Sequence, residues 1–385
     1  MLTLIIFLLV LSVLVFAHEF GHFMTACRYG VRAEEFGFGF PPRAIGWYQN
    51  KSGKWRRVVG NRSVESLETS EDEKLHPGKK KTIYSLNWLP LGGFVKIKGE
   101  NGEGRNDDDS FSAKKVWPRV VILAAGVIMN IILAWFLFSV AYLIGLPQST
   151  DSLGKGAIVT NSNVVVAEVM PGSAAEKAGL KINDYIVKVD GQTVESEKDL
   201  QDLIATRGGQ EVNLLIERNT KQEEIKVVPS SVNGGRATMG IAIFSAALVR
   251  YPFFNSFWEG AKTTVFVLRE IFVAFAGLIA SIFQGQNVGE QFAGPVGIAK
   301  ITGQAARLGI NYLLQFAALL SLNLAVINIL PFPALDGGRI LFLLIEKIKG
   351  KPVRKEVEGM IHNIGFLLLI ALVLFITYKD IVKLF

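Results

Sequence analysis

The chain has 385 residues, half of them hydrophobic, and a mean hydropathy of +0.34, a balance that argues against an ordinary soluble protein. Its formal net charge of +7 would suit a nucleic-acid partner, but 17 Lys and Arg fall between residues 27 and 115 and six between 339 and 358. Basic clusters beside apolar stretches mark cytoplasmic loops under the positive-inside rule, so no nucleic acid is expected as a partner.

Stretches long and apolar enough to approach a bilayer span occur at 1–17, 119–146, 312–335 and 361–378. The first carries no Lys or Arg, so it lacks the basic start of a cleaved signal. Cleavage after Ala17 would also leave His18 on a frayed terminus. The expectation is a retained transmembrane helix over 1–26, with Cys27, the single cysteine, as a small buried residue near its end. One cysteine rules out an internal disulfide.

Residues 27–115 read as a cytoplasmic loop. Within it, 31–43 and 82–100 alternate like strands broken by Gly and Pro, and suit a re-entrant β-hairpin or small sheet dipping toward the membrane where protein or water covers the backbone. The polar 48–81 segment, with its basic run 79–81, reads as an insertion or mobile loop, and 101–112 as a solvated linker. A second transmembrane helix follows at 116–146. From 155 to 232 short strands surround a helix at 196–207, the pattern of a small α/β domain. The 250–308 region reads as an amphipathic membrane-edge helix and linker, because 253–283 carries Glu259, Lys262, Arg269 and Glu270; a further span is the other option. Transmembrane helices three and four are expected at 309–347 and 359–379.

The chemistry sits at the ends of two spans. His18-Glu19-x-x-His22 places two imidazoles four apart, on one helical face, with a glutamate beside them. Such a pair suits a zinc ion that takes two imidazoles and one carboxylate and leaves a fourth position open to water, whose proton the glutamate can accept. Charged groups next to a 17-residue greasy stretch are costly unless something compensates. The third ligand is expected at Asp336, which follows about twenty mostly apolar residues just after the helix-breaking Pro331 and Pro333. His76, in a charged loop, reads as solvated, and His362 as interfacial packing.

The HEFGH of 18–22, PLGGFVK of 90–96, GPVGIA of 294–299 and NILPFPALDGG of 328–338 together resemble the site-2 protease family, and within it the bacterial regulator-of-sigma intramembrane metalloproteases. The run 171–194 resembles the PDZ domain of bacterial proteases. The resemblance implies a polytopic α-helical membrane protein of about four transmembrane helices, with a membrane-associated β-hairpin or sheet and one extracytoplasmic α/β PDZ domain. It implies one zinc per chain held by His18, His22 and Asp336, with Glu19 as general base and acid. Asn323 and Asn328 would hold unwound substrate backbone, and Gly92, Gly93 and Phe94 would pair with it by strand addition. Implied partners are single-pass membrane proteins, such as anti-sigma factors or signal-peptide remnants, a peptide or C-terminus in the PDZ groove, and the lipid bilayer. The setting is the bacterial plasma membrane, active site toward the cytoplasm and PDZ outside. A metal transporter or a catalytically silent PDZ scaffold would be the alternatives. A transporter has little use for Glu19 inside the pair, and a scaffold none for all four site residues.

Overall fold

The computed structural model describes residues 2–49, 53–60, 82–149, 153–218, 221–230, 237–285 and 294–382; His76 and the basic run 79–81 lie outside them. The chain divides into two units, Met1–Phe138 with Ala261–Phe385, and Ser139–Gly260.

The first unit opens with helix α1 (Leu2–Arg28). It contains no proline and, apart from Thr3 and Ser12, is apolar as far as Ala17, and each turn closes its own backbone hydrogen bonds, as a hydrocarbon environment demands. Cys27 is exposed on its last turn while Ala26 takes the buried position, which corrects the expectation of a buried thiol. Strands β1 (Ala33–Gln49), β2 (Trp55–Val58) and β3 (Ile83–Ile97) form an antiparallel sheet in the order β2–β1–β3. Both long strands double back: Phe36 faces Val95 and Tyr84, and Ser85 faces Gly37 and Gly46. Residues 93–97 therefore have β1 on one side only and form a sheet edge. Part of the expected 48–81 insertion is thus ordered in the sheet: β2 pairs with β1, and Tyr48, Val58 and Ile83 bury a small core. Nor is 101–112 wholly solvated, because Phe111 is buried with Val31, Ile97 and Ile122. Helix α2 (Val116–Ile144) then runs against α1. The two approach closely at Gly21, where any Cβ would overlap the Ala125 carbonyl.

In the second unit β4 (Leu146–Ser149), β5 (Ile158–Val169), β6 (Tyr185–Val189), β7 (Gln192–Thr193), β8 (Val212–Arg218), β9 (Lys221–Val227) and β10 (Ile241–Arg250) build a seven-stranded sheet. Its order is β4–β10–β5–β6–β8–β9, with β7 on β6. Helices α3 (Ala174–Ala178) and α4 (Glu197–Ala205) cover it. A reciprocal Ser196–Asp199 cap starts α4, which buries Leu200 and Ile204 on Val164, Ile186, Leu214 and Ile216. Because β10 lies between β4 and β5, the sheet continues to Arg250, beyond the expected boundary at 232.

Five helices follow: α5 (Phe253–Phe283), α6 (Pro295–Leu308), α7 (Ile310–Ile329), α8 (Asp336–Lys349) and α9 (Lys355–Val382). Among the described residues α1, α2, α5, α7 and α9 are long and apolar enough to cross a membrane, one more than the four expected. The addition is α5, whose 31 residues form one unbroken helix in place of the anticipated edge helix and linker. The expected third span, 309–347, is two helices, since Pro331 and Pro333 lack the N–H groups needed to continue α7. Helix α6 starts where Gly297 N–H donates to Asp380 Oδ2 of α9 at 2.7 Å, a cap from a distant helix.

Candidate active site

His18, Glu19 and His22 lie in the second half of α1, with both histidines less than a tenth exposed. Asp336 is the first residue of α8. The chain reaches it through a tight turn after Ile329, in which Phe332 N–H donates to Leu330 O at 2.7 Å and Ala334 takes φ +75°. The turn brings Asp336 Oδ2 to 3.0 Å from His18 Nε2 and 3.4 Å from His22 Nε2; the two imidazole nitrogens are 3.1 Å apart.

That triangle decides what fits there. His22 Nδ1 lies 2.8 Å from the Ile122 carbonyl oxygen and can only donate to it, so in the neutral ring Nε2 presents a lone pair. Asp336 Oδ2 is buried, and among the described residues no backbone amide or hydroxyl donates to it. Lone pairs facing one another at this range repel unless a cation lies among them. The observed edges match the roughly 3.3 Å edge of a tetrahedron with zinc–ligand bonds of about 2.0–2.1 Å. Two nitrogens and one carboxylate oxygen are also a donor set zinc accepts. His18, His22 and Asp336 are thus a group able to hold a metal ion.

Helix α2 supplies partners that the sequence reading passed over. The Ile122 carbonyl sets the His22 tautomer. Fully buried Asn130 has its amide 3.4 Å from His18 Nδ1, with Oδ1 unpartnered. Exchanging the isosteric oxygen and nitrogen of that amide lets Oδ1 accept from Nδ1–H and leaves His18 Nε2 its lone pair. Gly126 faces both rings: a Cβ there would lie 2.7 Å from His18 Cε1 and 2.8 Å from Nε2, and would overlap His22 Nε2. Asparagine inside an apolar span was a readable signal for Asn130; a glycine gives none. Ser321 of α7 donates to the Asn130 carbonyl at 2.8 Å, tying α7 to α2.

The hairpin tip is fastened to α1 beside this triangle. Ser12 Oγ donates to the Pro90 carbonyl at 2.9 Å and accepts from Gly92 N–H at 3.2 Å. Gly92, at φ +90°, sits against Val15, and Gly93 against the Phe16 backbone and Glu19 Cβ. Phe94 pairs with Gly37 inside the sheet. Phe16, Phe20 and Phe23 stack about Phe36, the closest pair 4.6 Å between centroids. At the sheet edge Val95 N–H donates to Glu19 Oε2 at 3.2 Å. The carboxylate thus lies between the histidines and a strand edge.

The two asparagines of α7 part company. Asn328 brings its amide to 3.4 Å from His18 Nε2, whereas Asn323 donates to Leu319 O of its own helix at 2.9 Å. Five residues apart on a helix is about 140° of rotation, so one face does not carry both toward the histidines. Ion pairs Arg339–Glu100 and Arg119–Glu346 anchor α8 beside the site.

The profile described as peptidase family M50 matches residues 6–58 and 74–372. The regulator of sigma-W protease RasP of Bacillus subtilis is 32% identical, with 100% of this chain and 99% of that protein covered. Zinc metalloprotease RasP of Geobacillus kaustophilus is 29% identical, over 100% of this chain and 98% of the relative. Among solved structures, the PDZ domain of the SdrC-like protein Lin2157 from Listeria innocua matches at 27% identity and TM-score 0.20, over 21% of this chain and 92% of that domain.

Proposed function

The chain belongs to peptidase family M50, and on that premise we propose that it is a zinc metalloendopeptidase that cuts the transmembrane segments of single-pass membrane proteins inside the bilayer. The observation that carries this reading is the closure of His18, His22 and Asp336 into one buried triangle with Glu19 alongside, all borne by apolar helices or the turn between them. His18 Nε2, His22 Nε2 and Asp336 Oδ2 would hold the zinc. When bound, it polarises an amide carbonyl and makes water acidic enough to attack near neutral pH.

The protein's own groups do the rest. Glu19 takes the proton of the attacking water on a carboxylate oxygen and passes it to the leaving amide nitrogen. Ile122 O and Asn130 hold the two imidazoles by their far nitrogens, so neither ring turns away. A peptide bond inside a helix has its carbonyl hydrogen-bonded, so cleavage requires local unwinding, and an unwound segment in lipid needs new backbone partners. The 93–97 edge of β3 supplies them by strand addition, and the Asn328 amide, beside His18, offers a further partner.

The basic residues of 27–115 and 339–358 favour a cytoplasmic position for those segments, with 147–252, between α2 and α5, outside the cell. The second unit is a PDZ domain by this reading, a groove that admits extended peptides or C-termini; the 171–194 motif and the strands around α4 support it.

The test uses detergent-purified full chain and a single-span substrate. Glu19→Gln is expected to keep its zinc and lose about 10²–10⁴-fold in cleavage rate. A Glu19→Gln protein that cleaves at the parental rate removes the proposed base.

A further inference from the structure

Helix α9 takes no part in the site as described, yet it meets the turn that carries Asp336. His362 Nδ1 accepts the Ala334 N–H at 2.8 Å. One turn further along α9, Gly365 lies against Pro333 so closely that a Cβ would come 2.8 Å from the Pro333 carbonyl oxygen. The His362 ring lies against Phe342 of α8, 5.4 Å between centroids. Two contacts thus grip one turn from outside, two and three residues from the proposed ligand, and a third braces the histidine against α8.

The turn needs such a grip. Ala334 adopts φ +75°, a conformation that costs an L-residue on the order of 1 kcal/mol or more and persists only where its surroundings hold it. Neither proline at 331 and 333 has an N–H, which leaves the amide of Ala334 as a handle that a neighbouring helix can hold. Nδ1 must be unprotonated to accept it, so in the neutral ring the proton sits on Nε2. That nitrogen is buried without a partner among the described residues, and His362 lines a cavity of about 390 Å³ together with Glu100, Arg339, Glu358 and Asn363.

We infer that His362 is a positioning residue: by accepting the Ala334 amide it fixes the turn that delivers the Asp336 carboxylate to the two imidazoles. The assignment rests on Asp336 being a ligand of the metal site, as proposed above. On this assignment His362 acts through the Ala334 backbone amide, two residues before Asp336.

The acceptor atom gives the test. Asparagine places an oxygen where histidine has Nδ1, whereas glutamine places its polar end where histidine has Nε2. Full-length His362→Asn, His362→Gln, His362→Phe and Asp336→Ala proteins, purified in detergent, are titrated with zinc against a colorimetric chelator. Hydrogen exchange is followed in peptides spanning 330–338. His362→Asn is expected to bind zinc within about threefold of the parent and keep the Ala334 amide protected. His362→Gln and His362→Phe are expected to bind roughly tenfold or more weakly, the range found when groups supporting a metal ligand are lost, with faster exchange at Ala334. Parental affinity and protection in both of the latter would overturn the inference. Equal losses in all three would do so too, since ring volume rather than the acceptor would then matter. Undiminished zinc affinity in Asp336→Ala would instead remove the ligand reading beneath it.

Discussion

Gly126→Ala sets helix propensity against packing at the metal site, and the structure gives the two effects opposite signs. Within α2 the exchange favours the helix by about 1 kcal/mol, the difference in intrinsic propensity. The new methyl, however, would lie 2.7–2.8 Å from His18 Cε1 and Nε2 and closer still to His22 Nε2, where unbonded heavy atoms settle at about 3.5 Å or more. The rings cannot simply turn aside, since His22 Nδ1 is engaged by Ile122 O at 2.8 Å and His18 meets Asp336 Oδ2 at 3.0 Å. Overpacking of this kind costs about 1–3 kcal/mol, and here it falls on the two metal-facing nitrogens. Zinc affinity is therefore expected to drop by roughly 5- to 150-fold, with cleavage falling alongside at limiting zinc. Chelator competition reads the affinity, and thermal unfolding of the metal-free protein reads the stability, which should hold or fall by up to about 2 kcal/mol as the overpacking offsets the helix gain. A Gly126→Ala protein that binds zinc as the parent does would show that α2 does not form the wall behind these imidazoles.

Two further substitutions probe the supporting structure. In the second unit Arg218 donates to Asp184 Oδ1 at 2.7 Å, to Oδ2 at 2.6 Å and to Gly179 O at 2.8 Å, and hydrogen bonding to Asp184 pushes its guanidinium above the usual range. Arg218→Leu leaves a carboxylate that is only 1% exposed with the Lys181 amide but no cation, so about 3 kcal/mol of stability should go. Urea unfolding of the full chain, followed by protease sensitivity between β5 and β9, measures it, and a loss below about 1 kcal/mol would contradict the buried pair's role. In the first unit Asp380→Ala removes the acceptor of Gly297 N–H at the start of α6. A loss of about 0.5–2 kcal/mol is expected, with Asp380→Asn losing less because it keeps an oxygen there. Identical melting of Asp380→Ala and the parent would mean that the cap is not made in solution.

Some of the site could be read without coordinates because it is local. His18 and His22 share a face by helical period alone, and their position after a 17-residue greasy stretch marked them as costly and hence purposeful. Asp336 could be picked out because Pro331 and Pro333 stop a helix just before it. The fifth apolar helix was legible only in part: scattered charges in 253–283 imitate an edge helix, although the segment folds as one rod. Asn323 and Asn328 both looked eligible, but helical rotation sends only one toward His18.

What the amino-acid order determined by itself is which groups are chemically competent and which stretches are greasy enough to carry them, since propensity, period and hydropathy act over a few residues at a time. Only the tertiary structure decided how close they come. The convergence of His18 and Asp336 across 318 positions, the wall at Gly126, the Val95 amide on Glu19 and the hold of His362 on Ala334 all depend on helix packing. Packing distances are set by the joint fit of many side chains, and no short window of sequence contains that fit.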